Sequence, residues 1–363
     1  MKNLLIHLKK LDWILIVSTF LLISIGLLSI YSSSLGRDDF LNFKKQIIFI
    51  IVGLLLIFIF SFFDWRIFRD DSYLILILYF ICFFLLLGLF FFAPEIRGVK
   101  SWYRLGPFTF DPIVLTKLIL VILLAKYFST RHVEMYHIRH ILLSGVYVAL
   151  PAILIFLQPN FGAVLIIFAL WIGILIISGI KLKHFFILVL IGILFFAFSW
   201  STLLKDYQRE RILSFFYPVD PLGAGWSQNQ ARIAIGAGGF FGQGFTKGSQ
   251  TQHGFLPEPQ TDFIFASIAE EFGLIGIGVL FFLFSLFFWR IIKIATLTTS
   301  NFSRLFAIGF ASVIFAQIFI HIGMNLGLLP IIGIPLPLVS YGGSSFMAIC
   351  IGLGILQNMK INR

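Results

Sequence analysis

Near-continuous apolar runs of about 20 residues recur along the chain, each long enough to cross the hydrocarbon layer of a bilayer as a helix. Ten spans are predicted, at 11–31, 46–63, 73–93, 112–128, 141–157, 161–180, 184–203, 263–289, 304–328 and 338–358. Lipid offers no partner to a backbone amide, so each run must be helical. The pattern predicts an all-α polytopic membrane protein, one domain over residues 1–363. A large loop, about 204–262, separates spans seven and eight and feeds Asp262 into the eighth. Near the end, GLLPIIGIPLPLVSYGGSS carries Pro330, Pro335 and Pro337 ahead of Tyr341-Gly342-Gly343 and cannot form one regular helix. Irregular backbone at membrane depth is tolerated where it is buried in protein or lines a wet cavity, so a cavity open at the outer face is expected.

Composition narrows the class. With 59% hydrophobic residues, 46 Phe and 12% charged residues, the chain cannot bury its apolar surface in a water-soluble core of ordinary proportions. Lys2, Lys9 and Lys10 precede the first span as in a signal peptide. Its apolar run is longer than a signal core and no Ala-x-Ala site follows, so the span is read as retained. Cys82 and Cys350 both lie inside spans, which leaves neither a disulfide framework nor a cysteine metal cluster. The formal charge of +11 has no soluble basic face with interleaved aromatics to carry it, which argues against nucleic acid and for anionic lipid or phosphate.

An even number of spans puts both termini on one side. With the termini cytoplasmic, 15 of the 27 Lys and Arg residues fall in inner segments, which sets the orientation. Eleven lie outside, in three groups: Arg37, Lys44 and Lys45; Arg97, Lys100 and Arg104; and Lys205, Arg209, Arg211, Arg232 and Lys247. Long loops translocate whatever their charge, but cations gathered beside aromatic and glycine residues also suit an anionic ligand.

The glycines from Gly236 to Gly248 lack phosphate-loop spacing and follow no strand; they let backbone approach a ligand or another loop closely. Asp262 is the sharper signal, a carboxylate at the outer start of a long apolar helix. Its bland reading is a helix-start acid. Glu270 and Glu271 lie about 12 to 14 Å further along that helix. A mid-bilayer acid costs roughly 2.5 to 3.5 kcal/mol, so this pair needs partners, and Lys117 is the candidate at comparable depth. Two chemistries fit these residues. A carboxylate beside cations suits transfer from a phosphate-bearing donor, the carboxylate taking a proton from the attacking hydroxyl and the cations stabilising a departing pyrophosphate. A line of Asp262, Glu270, Glu271 and Lys117 also suits an ion relay in a transporter.

DPLGAGWSQNQARIAIGAGGFFGQGF, FLPEPQTDFIFASIAEEFGLIG and GIPLPLVSYGGSS, in this order, resemble the SEDS family (shape, elongation, division and sporulation), nearer its rod-shape branch than its division branch. The resemblance implies a peptidoglycan glycosyltransferase that polymerises lipid II, the undecaprenyl-pyrophosphoryl disaccharide-pentapeptide, at the outer face of the bacterial cytoplasmic membrane. It implies that Asp262 is the catalytic aspartate, Lys117 a functional lysine of the fourth span and Glu258 the acid of the Pro-Glu-x-x-Thr-Asp-Phe motif. It implies a class B penicillin-binding protein and other elongation-complex membrane proteins as partners. Arg97, Arg104, Arg209, Arg211 and Arg232 become candidate pyrophosphate contacts, and Glu258, Gln260, Ser340 and Tyr341 candidate substrate contacts, in a cavity built by residues 94–117, 204–262 and 325–345. A divalent cation, Mg or Mn, is the one cofactor this chemistry leaves room for, although no acidic pair has the spacing to bind it. A precursor flippase and a non-catalytic scaffold for the penicillin-binding protein are the competing readings. The chain departs from the family twice: Asp111-Pro112-Ile113-Val114 stands where the family reads Gln-Pro-Ser-Glu, and Asn160 stands where it carries Asp.

Overall fold

The computed structural model describes residues 2–94, 100–106, 108–130, 138–202, 209, 213 and 225–362. Helices α1 (Lys2–Lys10), α2 (Trp13–Arg37), α3 (Leu41–Phe62), α4 (Arg66–Asp70) and α5 (Ser72–Phe92) lead to a ribbon of β1 (Tyr103–Leu105) and β2 (Phe108–Phe110). Then come α6 (Pro112–Ser129), α7 (Ile138–Leu157), α8 (Phe161–Ile177), α9 (Leu182–Thr202), α10 (Trp226–Gly238) and the single turn α11 (Ser249–Gln252). The chain closes with α12 (Ile264–Leu297), α13 (Asn301–Leu326) and α14 (Gly343–Ile361). Among the described residues nine helices are long and apolar enough to cross a membrane, and the shorter apolar α8 makes the tenth expected span.

The bundle packs as a lipid-solvated protein must. In α2 the inward face sets small polar residues, Ser18, Thr19, Ser29, Ser32, Ser33 and Ser34, beside Leu15, Leu22, Ile23 and Ile30, all buried, while Val17, Phe20, Leu21 and Leu28 point outward. Lipid tails are as apolar as leucine, so burying Leu or Ile does not by itself choose a face; close backbone approach, packing and interhelical hydrogen bonds such as Ser32 to Glu271 favour the serine-bearing one.

The ends of the chain meet at one end of the bundle. The Lys360 ammonium donates to the carbonyls of Lys10 and Leu11 at 2.8 and 3.0 Å, and Arg290 of α12 forks onto the buried Asp12 carboxylate. Since α2 starts there and spans 25 residues, its other end, carrying Ser32, Ser34 and Arg37, marks the opposite face. The large loop gathers at that face: Gln252 donates to Ser32, Arg37 to the Leu256 carbonyl and Gln260 to Ser34.

Two features depart from the sequence expectation. The connection between α5 and α6 contains the antiparallel ribbon, with Tyr103 paired to Phe110 and Arg104 to Thr109; strands of three residues are too short to leave a period in the sequence. The eighth span is interrupted. Gly273 (φ 62°, ψ −160°) breaks α12 after its first nine residues, a conformation only glycine adopts readily. The break leaves the carbonyls of Glu270 and Glu271 and the amides of Leu274 and Ile275 without helical partners. The glycine-rich loop supplies all four, through Gln243 N (2.9 Å), Gly244 N (3.0 Å), Gly239 O (3.0 Å) and Phe240 O (3.3 Å). These glycines therefore do bring one loop's backbone against another, where it completes a broken helix at membrane depth.

Candidate active site

Asp262 precedes α12 by two residues, and the N-cap position is Phe263, which makes no side-chain cap bond. The approach to it is a tight turn in which the Glu258 carbonyl, at φ 41°, accepts the amides of Thr261 and Phe263, both at 3.2 Å. Three successive carbonyls then receive donors from elsewhere in the fold. Gln260 O accepts Tyr341 N (2.8 Å), Thr261 O accepts the Ser340 hydroxyl (2.8 Å), and Asp262 O accepts the Asn325 side-chain amide (2.9 Å). The side chain of Gln260 is likewise engaged, donating to Ser34 (3.1 Å) and accepting from Asn42 (2.9 Å). The wall facing the carboxylate is Gly333, in the left-handed region at φ 68°; a methyl built there would sit 3.7 Å from Asp262 Oδ2. Among the described residues, the expected proline-rich segment is indeed non-helical between α13 and α14, and it forms this wall.

Lys117 is buried, with 7% of its surface exposed, and lines a small cavity with Val114, Gln317 and Ser345. Its charge partner is Asp111, the carboxylate just before α6. The Asp111 carboxyl lies against protein, and loss of water pushes it up to about 6, opposed by Lys117 and by the amides of Ile113 and Val114. The Asp111 amide donates to Ser344 Oγ at 3.1 Å, tying the start of α6 to the start of α14. The anticipated pairing of Lys117 with Glu270 and Glu271 is therefore corrected. The acids lie at the helix break, where loop donors satisfy Glu270 and Glu271 accepts from Ser32 of α2 and Gln252 of α11, and Asp111 lies six residues from Lys117 on the same segment.

Comparison with known proteins fits this arrangement. The FtsW/RodA/SpoVE model, described as a cell cycle protein, matches residues 11–363. The chain belongs to the FtsW/RodA/SpoVE family. It is 37% identical over 287 residues to the peptidoglycan glycosyltransferase MrdB of Escherichia coli, covering 79% of this chain and 77% of that one. It is 29% identical over 424 residues to the peptidoglycan glycosyltransferase RodA of Treponema pallidum, covering 96% and 97%. A chain from a structure titled for the coordination of polymerization and crosslinking by a peptidoglycan synthase complex superposes with a TM-score of 0.84 at 28% identity, over 97% of this chain and 98% of that one. The rod shape determining protein RodA of Thermus thermophilus superposes with a TM-score of 0.72 at 27% identity, over 97% of each chain.

In this FtsW/RodA/SpoVE member the two intramembrane acids serve the loop. Glu270, fully buried, accepts Ser249 Oγ (3.2 Å), Gln250 N (2.6 Å), Thr251 N (3.0 Å) and Thr251 Oγ1 (2.7 Å). Glu271 accepts from Ser32 and Gln252. Ser340 and Tyr341, read from sequence as substrate contacts, hold the turn that carries Asp262, and Tyr341 also lies beside the Phe49 ring. Arg104 is exposed on β1. Arg209 donates to Ser201 O at 3.2 Å, and Arg232 caps the end of α13 through Gly327 O at 3.2 Å. Arg97 and Arg211 lie outside the described residues. Among the described residues no group of three or more His, Cys, Asp or Glu is arranged to hold a metal. Asn160 caps α8 by accepting Ala163 N at 3.2 Å and donates to Ser101 at 3.3 Å, so the departure there serves a structural role an Asp could share only in part. Sequence reading passed over Asn325 and His321. Two polar residues four apart in an apolar helix were the available signal, since they share a face and polar groups at that depth need partners.

Proposed function

We propose that this multi-pass membrane protein is a peptidoglycan glycosyltransferase that polymerises lipid II at the outer face of the cytoplasmic membrane during cell elongation. The carrying observation is Asp262, held by its own backbone at the loop-bearing end of the bundle, away from the end where the termini meet. That meeting of the termini, with the inner bias of Lys and Arg, supports a cytoplasmic location for both.

In the reaction the acceptor sugar hydroxyl attacks the anomeric carbon of the donor. A new C–O bond forms as the bond to pyrophosphate breaks, the hydroxyl proton passes to the Asp262 carboxylate, and the polyprenyl pyrophosphate departs. Lys117 and the outer arginines, Arg104 and Arg232 among them, supply positive charge toward the leaving group. A divalent ion would be held mainly through the substrate phosphates and water, because the described side chains build no acidic cage. A class B penicillin-binding protein is the partner this reading requires, since glycan strands must be cross-linked once made. It fits a structural neighbour whose title couples polymerization to crosslinking.

The test is incubation of purified protein with labelled lipid II, with and without a class B partner and with and without EDTA. Glycan ladders are expected. Transport of lipid II across vesicles with no polymer formed would favour a flippase instead.

A further inference from the structure

We infer that Asn325 is a positioning residue for Asp262, acting together with the Ser340 hydroxyl. This rests on the function proposed above. The donors that fix the carbonyls of residues 260–262 come from α13 and from the turn before α14, not from the element that bears Asp262. Asn325 does two things at once. Its Nδ2 donates to Asp262 O (2.9 Å) and His321 O (2.8 Å), while its Oδ1 accepts Ala266 N at 3.2 Å. The amide orientation is thereby set, because a flip would place NH₂ against N–H and oxygen against two carbonyls. Asn325 is fully buried, so water cannot substitute for it.

One turn earlier, His321 Nδ1 faces Ile334 O at 2.7 Å; a carbonyl only accepts, so Nδ1 carries the proton. This bond ties the Gly333–Ile334 corner to the adjacent turn of α13. The main chain of Asp262 and the wall facing its carboxylate are therefore both referenced to two side chains four residues apart. A carboxylate held this way keeps its position as an acceptor hydroxyl approaches, which is a contribution to turnover and not to substrate affinity.

The experiment reconstitutes the full chain with its transpeptidase partner and compares wild type with Asn325→Ala, Ser340→Ala and Ser340→Thr, measuring kcat and KM on lipid II and hydrogen exchange across the bundle. Asn325→Ala is expected to lower kcat roughly 100-fold with KM within about twofold, with faster amide exchange confined to residues 260–266. Ser340→Ala is expected to fall in the same direction and Ser340→Thr, which keeps the hydroxyl, to recover most of the loss. Wild-type kcat in both alanine variants, or a loss matched by faster exchange throughout the bundle, overturns the inference. If Asn325→Ala does not fold, the Ser340 pair decides. If wild type makes no glycan, the glycosyltransferase reading fails, and exchange decides the clamp: unchanged rates at 260–266 in Asn325→Ala overturn it, and local acceleration sustains it.

Discussion

Thr251 gives both its amide and its hydroxyl to one oxygen of Glu270, at 3.0 and 2.7 Å. Ser249 and Gln250 take the other oxygen, so among the described residues the hydrogen-bond donors to this buried carboxylate come from the large loop. Its burial is tolerable because every lone-pair direction finds a donor. Glu270→Ala leaves those donors buried and unmatched, and a loss of about 2 to 4 kcal/mol in stability is expected. Thermal unfolding in detergent checks this; an unchanged midpoint would mean the loop is held by something else.

Gly333 faces the Asp262 carboxylate with φ 68°. The methyl of Gly333→Ala meets only ordinary contact, so its cost is the left-handed backbone, about 1 to 2 kcal/mol. Asn tolerates that region better. Gly333→Ala is expected to lose stability and turnover, with Gly333→Asn less impaired on both. Equal behaviour of the two variants would place the effect in side-chain bulk.

Asp111 supplies the counter-charge to Lys117 where Val114 offers none. Burial raises its folded pKa from 3.8 to about 6. The sign follows from linkage: this group favours the fold fully below its unfolded value, and that contribution is lost as pH rises through about 6. Turnover runs the other way. Protonation of Asp111 strips Lys117 of its partner, so activity is expected to fall as pH drops through about 6. Asp111→Asn should be poorly active and lose this inflection, and adding Val114→Glu, three residues from Lys117 on the same helix face, should restore activity. A pH–rate profile of Asp111→Asn identical to wild type would remove Asp111 from the account.

Gly273 breaks α12, and a Cβ there would lie 2.3 Å from the amide of Gly242. Gly273→Ala cannot keep both the break and the loop beside it, so loss of folded protein is expected by size-exclusion chromatography. A monodisperse, active variant would show that the break is not needed.

Hydropathy exposed the ten apolar helices because each run is continuous and lipid sets its length. The break at Gly273 was not legible that way, because the apolar run resumes at Leu274 and a helix-length average carries over the Glu270-Glu271 pair and the single glycine. Asp262 was legible as a carboxylate at a membrane boundary inside a long family motif. Asn325 and His321 were not, since a window that averages hydrophobicity absorbs a single amide or imidazole, and their value lies in partners more than 10 residues away in sequence. The pairing of Lys117 depended on packing too: acids matched in depth along separate helices proved to face the loop, and the nearer Asp111 held the charge.

The most direct measurement is polymerisation of labelled lipid II by wild type, Asp262→Ala and Asp262→Asn, each matched for folding and for lipid II binding. Glycan ladders from wild type that vanish in both variants, with binding retained, are the expected result. Ladders of ordinary length from Asp262→Asn would contradict the assignment of Asp262 as the group that takes the proton.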